Sequence, residues 1–88
     1  MKVQFKASFI KDLRSIKNQD LHNRIKGTIE QTEKAQSLQD IKNIKKLKGA
    51  SNYYRIRVGE YRVGLTVEGD EVTFVRCLDR KEIYRYFP

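Results

Sequence analysis

The run YYRIRVGEYRVG, residues 53–64, carries Arg55, Arg57 and Arg62 at spacings that a tight hairpin brings face to face. With Gly59-Glu60 as a two-residue loop, Arg57 opposes Arg62, Arg55 opposes Gly64, Ile56 opposes Val63, Tyr54 opposes Leu65 and Val58 opposes Tyr61, and opposed residues share a face. Like charges set directly across a sheet cost about 0.2–1 kcal/mol per pair, so the pattern points to a compensating anion. Guanidinium groups offer planar, paired donors to phosphate oxygens, and a bare glycine lets a ligand approach the strand. The other reading is a solvated basic face balanced by Glu60, Glu68 and Asp79, and residue types alone leave both open.

Such a face needs a sheet with something behind it. The opposite side of the hairpin, Tyr54, Ile56, Val58, Tyr61, Val63 and Leu65, is apolar and asks for a cover. MKVQFK alternates with Val3 and Phe5 on one side, as a short strand does. Ser8 stands where an N-cap would, ahead of Phe9, Leu13 and Ile16 at helical spacing. Asn18 offers a second cap, after which Leu21, Ile25 and Ile29 recur every four residues through about Ala35. The stretch SLQDIKNIKKLKGASN, residues 37–52, reads as a partly ordered linker. Gly59-Glu60 and Gly69-Asp70 place glycine first in two-residue type II′ turns, which predicts consecutive antiparallel strands near 53–58, 61–67 and 71–78.

The expected fold is α+β in a single domain over residues 1–88: an N-terminal strand, an antiparallel helical hairpin, then a twisted antiparallel sheet with the helices packed on one face. Carried through Gly69-Asp70, the register puts Val72 and Phe74 on the apolar face and Thr73, Val75 and Cys77 on the basic one, with Cys77 opposite Arg62. Arg76 then falls on the helix-covered side. A rim position, a pairing with a helix carboxylate and a β-bulge that shifts the register all remain open.

Lysine and arginine number 19 against 11 acidic residues, a net charge of +8, which suits a polyanionic partner such as nucleic acid or an acidic protein. No apolar run approaches the roughly 18 residues that span a bilayer, and charges interrupt any signal-peptide core, so no membrane partner and a cytoplasmic location are expected. Cys77 and His22 are the only residues of their types. That rules out an internal disulfide and leaves no thiolate cluster for a metal. Cys77 reads as a packing residue and His22 as a solvated surface residue. Tyr84, in the closing run CLDRKEIYRYFP beside the arginine face, is either an amphipathic anchor or a group that stacks on a base and handles a proton.

Three segments, KKLKG at 45–49, YYRIRVGEYRVG at 53–64 and DRKEIYRYFP at 79–88, together resemble the RelE/ParE superfamily of type II toxins, in its RelE-like branch. The resemblance implies a ribosome-dependent mRNA endonuclease held inactive by a cognate RelB-like antitoxin, with no cofactor and no metal, in which a ribose 2′-hydroxyl attacks the adjacent phosphate. It implies RNA binding by Arg55, Arg57, Lys46 and Lys48, and catalysis by Arg62, Arg80 and Tyr84. Clustered guanidiniums would stabilise the charge of the phosphorane, and Tyr84 would act as general base or orienting group. Asp79 stands where many relatives carry histidine. A carboxylate beside arginines stays ionised, so Asp79 is expected to orient an arginine rather than donate a proton. Catalysis would then be slower, lean on ribosomal groups or be lost. The same resemblance leaves room for a ParE-like DNA gyrase inhibitor without nuclease activity, or for a catalytically decayed antitoxin- or RNA-binding module.

Overall fold

A computed structural model describes residues 1–49 and 51–88. Ala50, within the expected turn cluster at 49–52, lies outside the described residues. The elements run β1 (Lys2–Phe5), α1 (Ala7–Ser15), α2 (Gln19–Lys34), a single 3-10 turn (Leu38–Asp40), β2 (Ile44–Lys46), β3 (Tyr53–Val58), β4 (Tyr61–Glu68), β5 (Glu71–Asp79) and α3 (Ile83–Tyr86). One 5-stranded sheet has the order β1-β5-β4-β3-β2.

Both glycine-led hairpins form. Gly59 and Gly69 each have φ +59°, the left-handed value that the first position of a type II′ turn requires. The β3–β4 register is the expected one, with Arg57 level with Arg62 and Arg55 level with Gly64. Behind the hairpin, Ile56, Val58, Val63, Leu65, Val72 and Phe74 join Phe9, Leu21 and Ile25 of the helices in one buried cluster. Phe5, Phe9 and Phe74 pack ring against ring, with centroids 5.4–5.8 Å apart. Burying such a side chain contributes about 1.5–3 kcal/mol, and each aromatic contact adds to it.

Three expectations are corrected. The sheet is mixed, because β1 pairs in parallel with β5. The presumed linker supplies an edge strand, β2, antiparallel to β3, with Ile44 level with Ile56. Its neighbour Ile41 is buried in the core, which anchors the lysine-rich stretch. Asn18 does cap α2, its side chain accepting from the Leu21 N–H at 3.0 Å, but Ser8 caps nothing. The first helix starts one residue before it, with Lys6 at the cap position, and the Ser8 hydroxyl donates to the Val75 carbonyl.

That hydrogen bond belongs to a larger arrangement. β1 is four residues long and pairs only as far as Phe74, so the β5 edge beyond it would be bare backbone. Unpaired backbone groups at a half-buried edge are costly. α1 runs along that edge and meets the need with side chains: Ser8 at Val75, and Asp12, whose Oδ2 accepts from the Cys77 N–H at 2.9 Å. The same carboxylate takes Arg76 in a two-pronged pair, Nε to Oδ2 at 2.8 Å and Nη2 to Oδ1 at 3.2 Å.

The Asp12 side chain is 11% exposed and that of Arg76 26%. Asp12→Ala therefore strands a guanidinium and a backbone donor at once. It is expected to cost roughly 3 kcal/mol, the low end for breaking a buried pair because Arg76 keeps some access to water. Urea unfolding checks this, and a loss below about 1 kcal/mol would show that water replaces the carboxylate without penalty.

Candidate nucleic-acid interface

The face turned away from α1 and α2 is built in rows, because residues paired across a sheet point the same way. Between β4 and β5 the register shifts at Gly64/Leu65: Leu65 pairs with Phe74 and Gly64 with Arg76, leaving Val75 bulged. The bulge moves Arg76 level with Gly64 and turns Cys77 inward against Val63. The placement of Cys77 opposite Arg62 on the basic face is thus corrected: Leu78 stands opposite Arg62, and Cys77 is buried. Of the three resolutions open for Arg76, the bulge and the helix carboxylate both hold.

One row is consequently Lys45, Arg55, Gly64 and Arg76, and the next is Arg57, Arg62 and Leu78. Lys46 is level with Tyr54, on the helix side of the register, so Lys45 is the lysine that continues the arginine row. Lys46 and Lys48 line a cleft with Tyr84 at the β2 edge.

The arginines are held by backbone oxygens. Asn43 adopts φ +63°, a left-handed conformation that asparagine tolerates, just before β2 begins. Its carbonyl accepts from the Arg57 N–H at 3.1 Å and from Arg55 Nη1 at 2.9 Å. Its side-chain oxygen takes Arg57 Nη2 at 3.5 Å. Arg55 Nε is buried with no partner among the described residues. Arg62 Nη1 donates to the carbonyls of Gly59 at 3.0 Å and Tyr61 at 2.9 Å, bonds that do not use its Nε or Nη2.

Arg80 sits at the same end of the sheet, its N–H on the Glu60 carbonyl and its Nε 3.0 Å from Glu60 Oε2. Among the described residues Asp79 pairs with no arginine. Its Oδ1 accepts from the Lys81 N–H at 2.8 Å and its carbonyl from the Glu82 N–H, so it shapes the turn that carries Arg80. Any influence of Asp79 on a guanidinium therefore passes through the backbone of that turn.

Beyond that turn the C-terminal segment crosses the basic face. Ile83 and Phe87, four residues apart and hence on one side of a helical turn, are both buried. An added Cβ at Gly64 would come 2.7–2.8 Å from three atoms of the Phe87 ring. The expected gap at Gly64 is therefore filled by the protein itself: the glycine is a seat for Phe87, whose ring also lies 5.5 Å from that of Tyr53. No single-residue pattern in the sequence announces this, although a lone glycine inside a strand often marks close approach by another part of the chain.

The tail divides the face into two clefts. On the β2 side, Tyr84, 59% exposed, Phe87 and Pro88 face Lys45 to Lys48 around a volume of about 360 Å³. On the β5 side a second cleft of about 350 Å³ lies beside Arg76 and Tyr86. Sequence reasoning passed over Lys45, Tyr86 and Phe87, and left Arg76 without a role.

The remaining reactive side chains are tied into the structure. His22 is half-buried rather than solvated, one ring nitrogen bonded to the Ile16 carbonyl across the inter-helix connection. Burial, and secondarily the Asp12 charge, push the Cys77 thiol from 9.0 up to about 12. A thiol raised by folding keeps its proton longer than in the unfolded chain. Its contribution to stability is complete below pH 9.0 and is lost as pH climbs toward about 12. At pH 8 a thiol raised in this way is less ionised than in the unfolded chain, so alkylation by iodoacetamide should be slower than in urea-unfolded protein by roughly 10²- to 10³-fold. Equal rates would mean that Cys77 is open to solvent.

A five-stranded sheet with two helices behind it, and an arginine-rich, tail-crossed face in front, has the architecture of a small toxin of the α+β class. The chain belongs to the RelE/ParE superfamily of type II toxin-antitoxin toxins: residues 3–84 match the family described as the ParE toxin of the type II toxin-antitoxin system, parDE. It is 52% identical, over 89 residues and 100% of both chains, to Toxin RelE3 of Methanocaldococcus jannaschii. Its fold matches the RelB-RelE antitoxin-toxin complex from Methanococcus jannaschii with a TM-score of 0.81 and 48% identity, over 97% of this chain and 99% of that one. The RelE-RelB complex from Pyrococcus horikoshii OT3 has the same fold at 21% identity, with a TM-score of 0.74 and coverage of 93% and 97%. Among the described residues no helix is long and apolar enough to cross a membrane.

Proposed function

We propose that this toxin is a ribosome-dependent mRNA endonuclease that stops translation, working in the cytoplasm and neutralised by an antitoxin resembling the RelB of its M. jannaschii relative. The observation that carries the reading is the pair of cationic rows, Lys45–Arg55 and Arg57–Arg62, on one sheet face beside the exposed phenol of Tyr84. Arginines already fixed by the carbonyls of Asn43, Gly59 and Tyr61 need little reordering to meet a phosphate.

In the reaction, the ribose 2′-oxygen attacks the adjoining phosphorus and loses its proton. The bond from phosphorus to the 5′-oxygen breaks, and that oxygen takes up a proton. Products are a 2′,3′-cyclic phosphate and a 5′-hydroxyl. Nucleophile and electrophile lie on one nucleotide, so the chemistry calls for orientation and charge stabilisation rather than for a metal. Arg62 and Arg80 stabilise the phosphorane, and Arg55, Arg57, Lys46 and Lys48 hold the strand. The Arg80–Glu60 pair is exposed on both sides, worth little, and readily exchanged for phosphate. Asp79 positions Arg80 through the backbone turn it bonds.

Tyr84 orients the 2′-hydroxyl or accepts its proton. Tyr84→Phe keeps the ring and removes the oxygen, and is expected to slow single-turnover cleavage on programmed ribosomes by about 10²-fold. An unchanged rate would remove Tyr84 from the reaction. The ParE description of the matching family keeps gyrase inhibition as a second reading. Loss of supercoiling with mRNA intact would establish that reading instead.

A further inference from the structure

We propose that the cleft on the β5 side of the tail is a second nucleotide subsite, where Tyr86 stacks on a base of single-stranded RNA and Lys6 neutralises an adjoining phosphate. The proposal rests on the RNA reading above and adds a place which that reading leaves unused.

α3 presents two tyrosines, and their spacing separates them. Two positions turn a helix by about 200°, so Tyr84 and Tyr86 flank the buried Ile83–Phe87 seam on opposite sides. Tyr84 serves the lysine cleft, and Tyr86 borders the other with Lys6, Tyr53, Thr66, Arg76 and Phe87. An anchoring tyrosine buries its ring, whereas Tyr86 stays 53% exposed beside a neighbour, Phe87, at 3%.

The ring is nonetheless held in place. Arg76 lies 5.7 Å from its centroid, and the guanidinium is itself fixed by the two-pronged bond to Asp12. A fixed, half-open aromatic ring next to a lysine that lines the same cleft is what a sequence-tolerant single-strand site requires: a stacking platform and a cation for the backbone. Asp12 neutralises Arg76, so Lys6 supplies the charge for phosphate. Arg55 and Arg76 stand two strand spacings apart, about 10 Å, so one strand laid over Phe87 reaches both clefts.

Fluorescence anisotropy with a labelled single-stranded RNA oligonucleotide and the full chain, without ribosomes, tests the subsite. Tyr86→Ala should weaken binding by about 5- to 100-fold, and Tyr86→Phe should restore it. Lys6→Ala, a change outside the tail segment itself, should lower the slope of log affinity against log salt by about 0.7. Thermal unfolding of each variant separates loss of binding from loss of the tail. Equal affinity of wild type, Tyr86→Ala and Lys6→Ala, or no binding by wild type, overturns the subsite. Arg62-dependent cleavage on ribosomes alongside such a result leaves the nuclease reading standing. Tyr86-dependent RNA binding without cleavage does the reverse.

Discussion

Arg62→Ala is expected to lower the single-turnover rate of mRNA cleavage on the ribosome by about 10²- to 10³-fold, the effect of removing one preorganised donor from a developing oxyanion. The size follows from how the side chain is held. Nη1 is spent on the Gly59 and Tyr61 carbonyls of its own hairpin, which restrains the guanidinium and leaves Nε and Nη2 out of those two bonds. Arg62→Lys should recover little, because an ammonium cannot bond both carbonyls while presenting a planar edge to phosphate. The loss should appear at saturating ribosome concentration, as befits an interaction made in the transition state. A defect confined to half-saturation would reassign Arg62 to ground-state binding. Unfolding should change little, since both bonds lie at the half-exposed end of the hairpin.

Phe87→Ala is expected to cost about 3–5 kcal/mol, the usual range for truncating a buried phenylalanine, bounded above by the free energy with which the tail docks. In thermal unfolding this is a fall of roughly 12–40 °C for a chain of this size. Gly64→Ala should act on the same contact from the other side, since its new methyl group would lie 2.7 Å from the Phe87 ring and push it off the strand. Each change alone releases Ile83, Tyr84 and Tyr86 from the basic face. Once the tail is off, the second change has nothing left to disrupt, so the double variant should fall well short of the sum of the singles. Additive losses in the double variant would show that the tail does not rest on Gly64. Both single variants should also lose cleavage activity, because Tyr84 is carried by the displaced segment.

What the sequence reveals and conceals has physical reasons. The β3–β4 hairpin is readable because a two-residue loop with glycine first admits one register, and that register sorts Tyr54, Ile56, Val63 and Leu65 onto one face. Asn18 is readable because a cap is a local contact, made three residues away. By contrast, the parallel pairing of β1 with β5 joins residues about 70 positions apart and leaves no mark on either strand. β2 is three residues long and lies in a lysine-rich stretch, so its period is too short to detect. Ser8 looks like a cap because serine usually is one there, yet its hydroxyl answers a need set by the distant edge of β5.

The candidate site divides in the same way. Arg57 opposite Arg62 follows from the turn, whereas the place of Arg76 depends on a bulge that one extra residue, Val75, inserts. Gly64 reads as room for a ligand because the partner that fills it, Phe87, lies outside any local pattern. The partner of Asp79 is hidden for a related reason: a carboxylate next to a turn finds a backbone N–H two residues on before it finds a guanidinium.

The central claim is tested most directly by primer extension on a defined mRNA incubated with the purified toxin, with and without programmed ribosomes, beside Arg62→Ala. The account predicts new 5′ ends at discrete positions only when ribosomes are present, and their loss in the variant. Intact mRNA in every lane, or cleavage that Arg62→Ala leaves untouched, would contradict it.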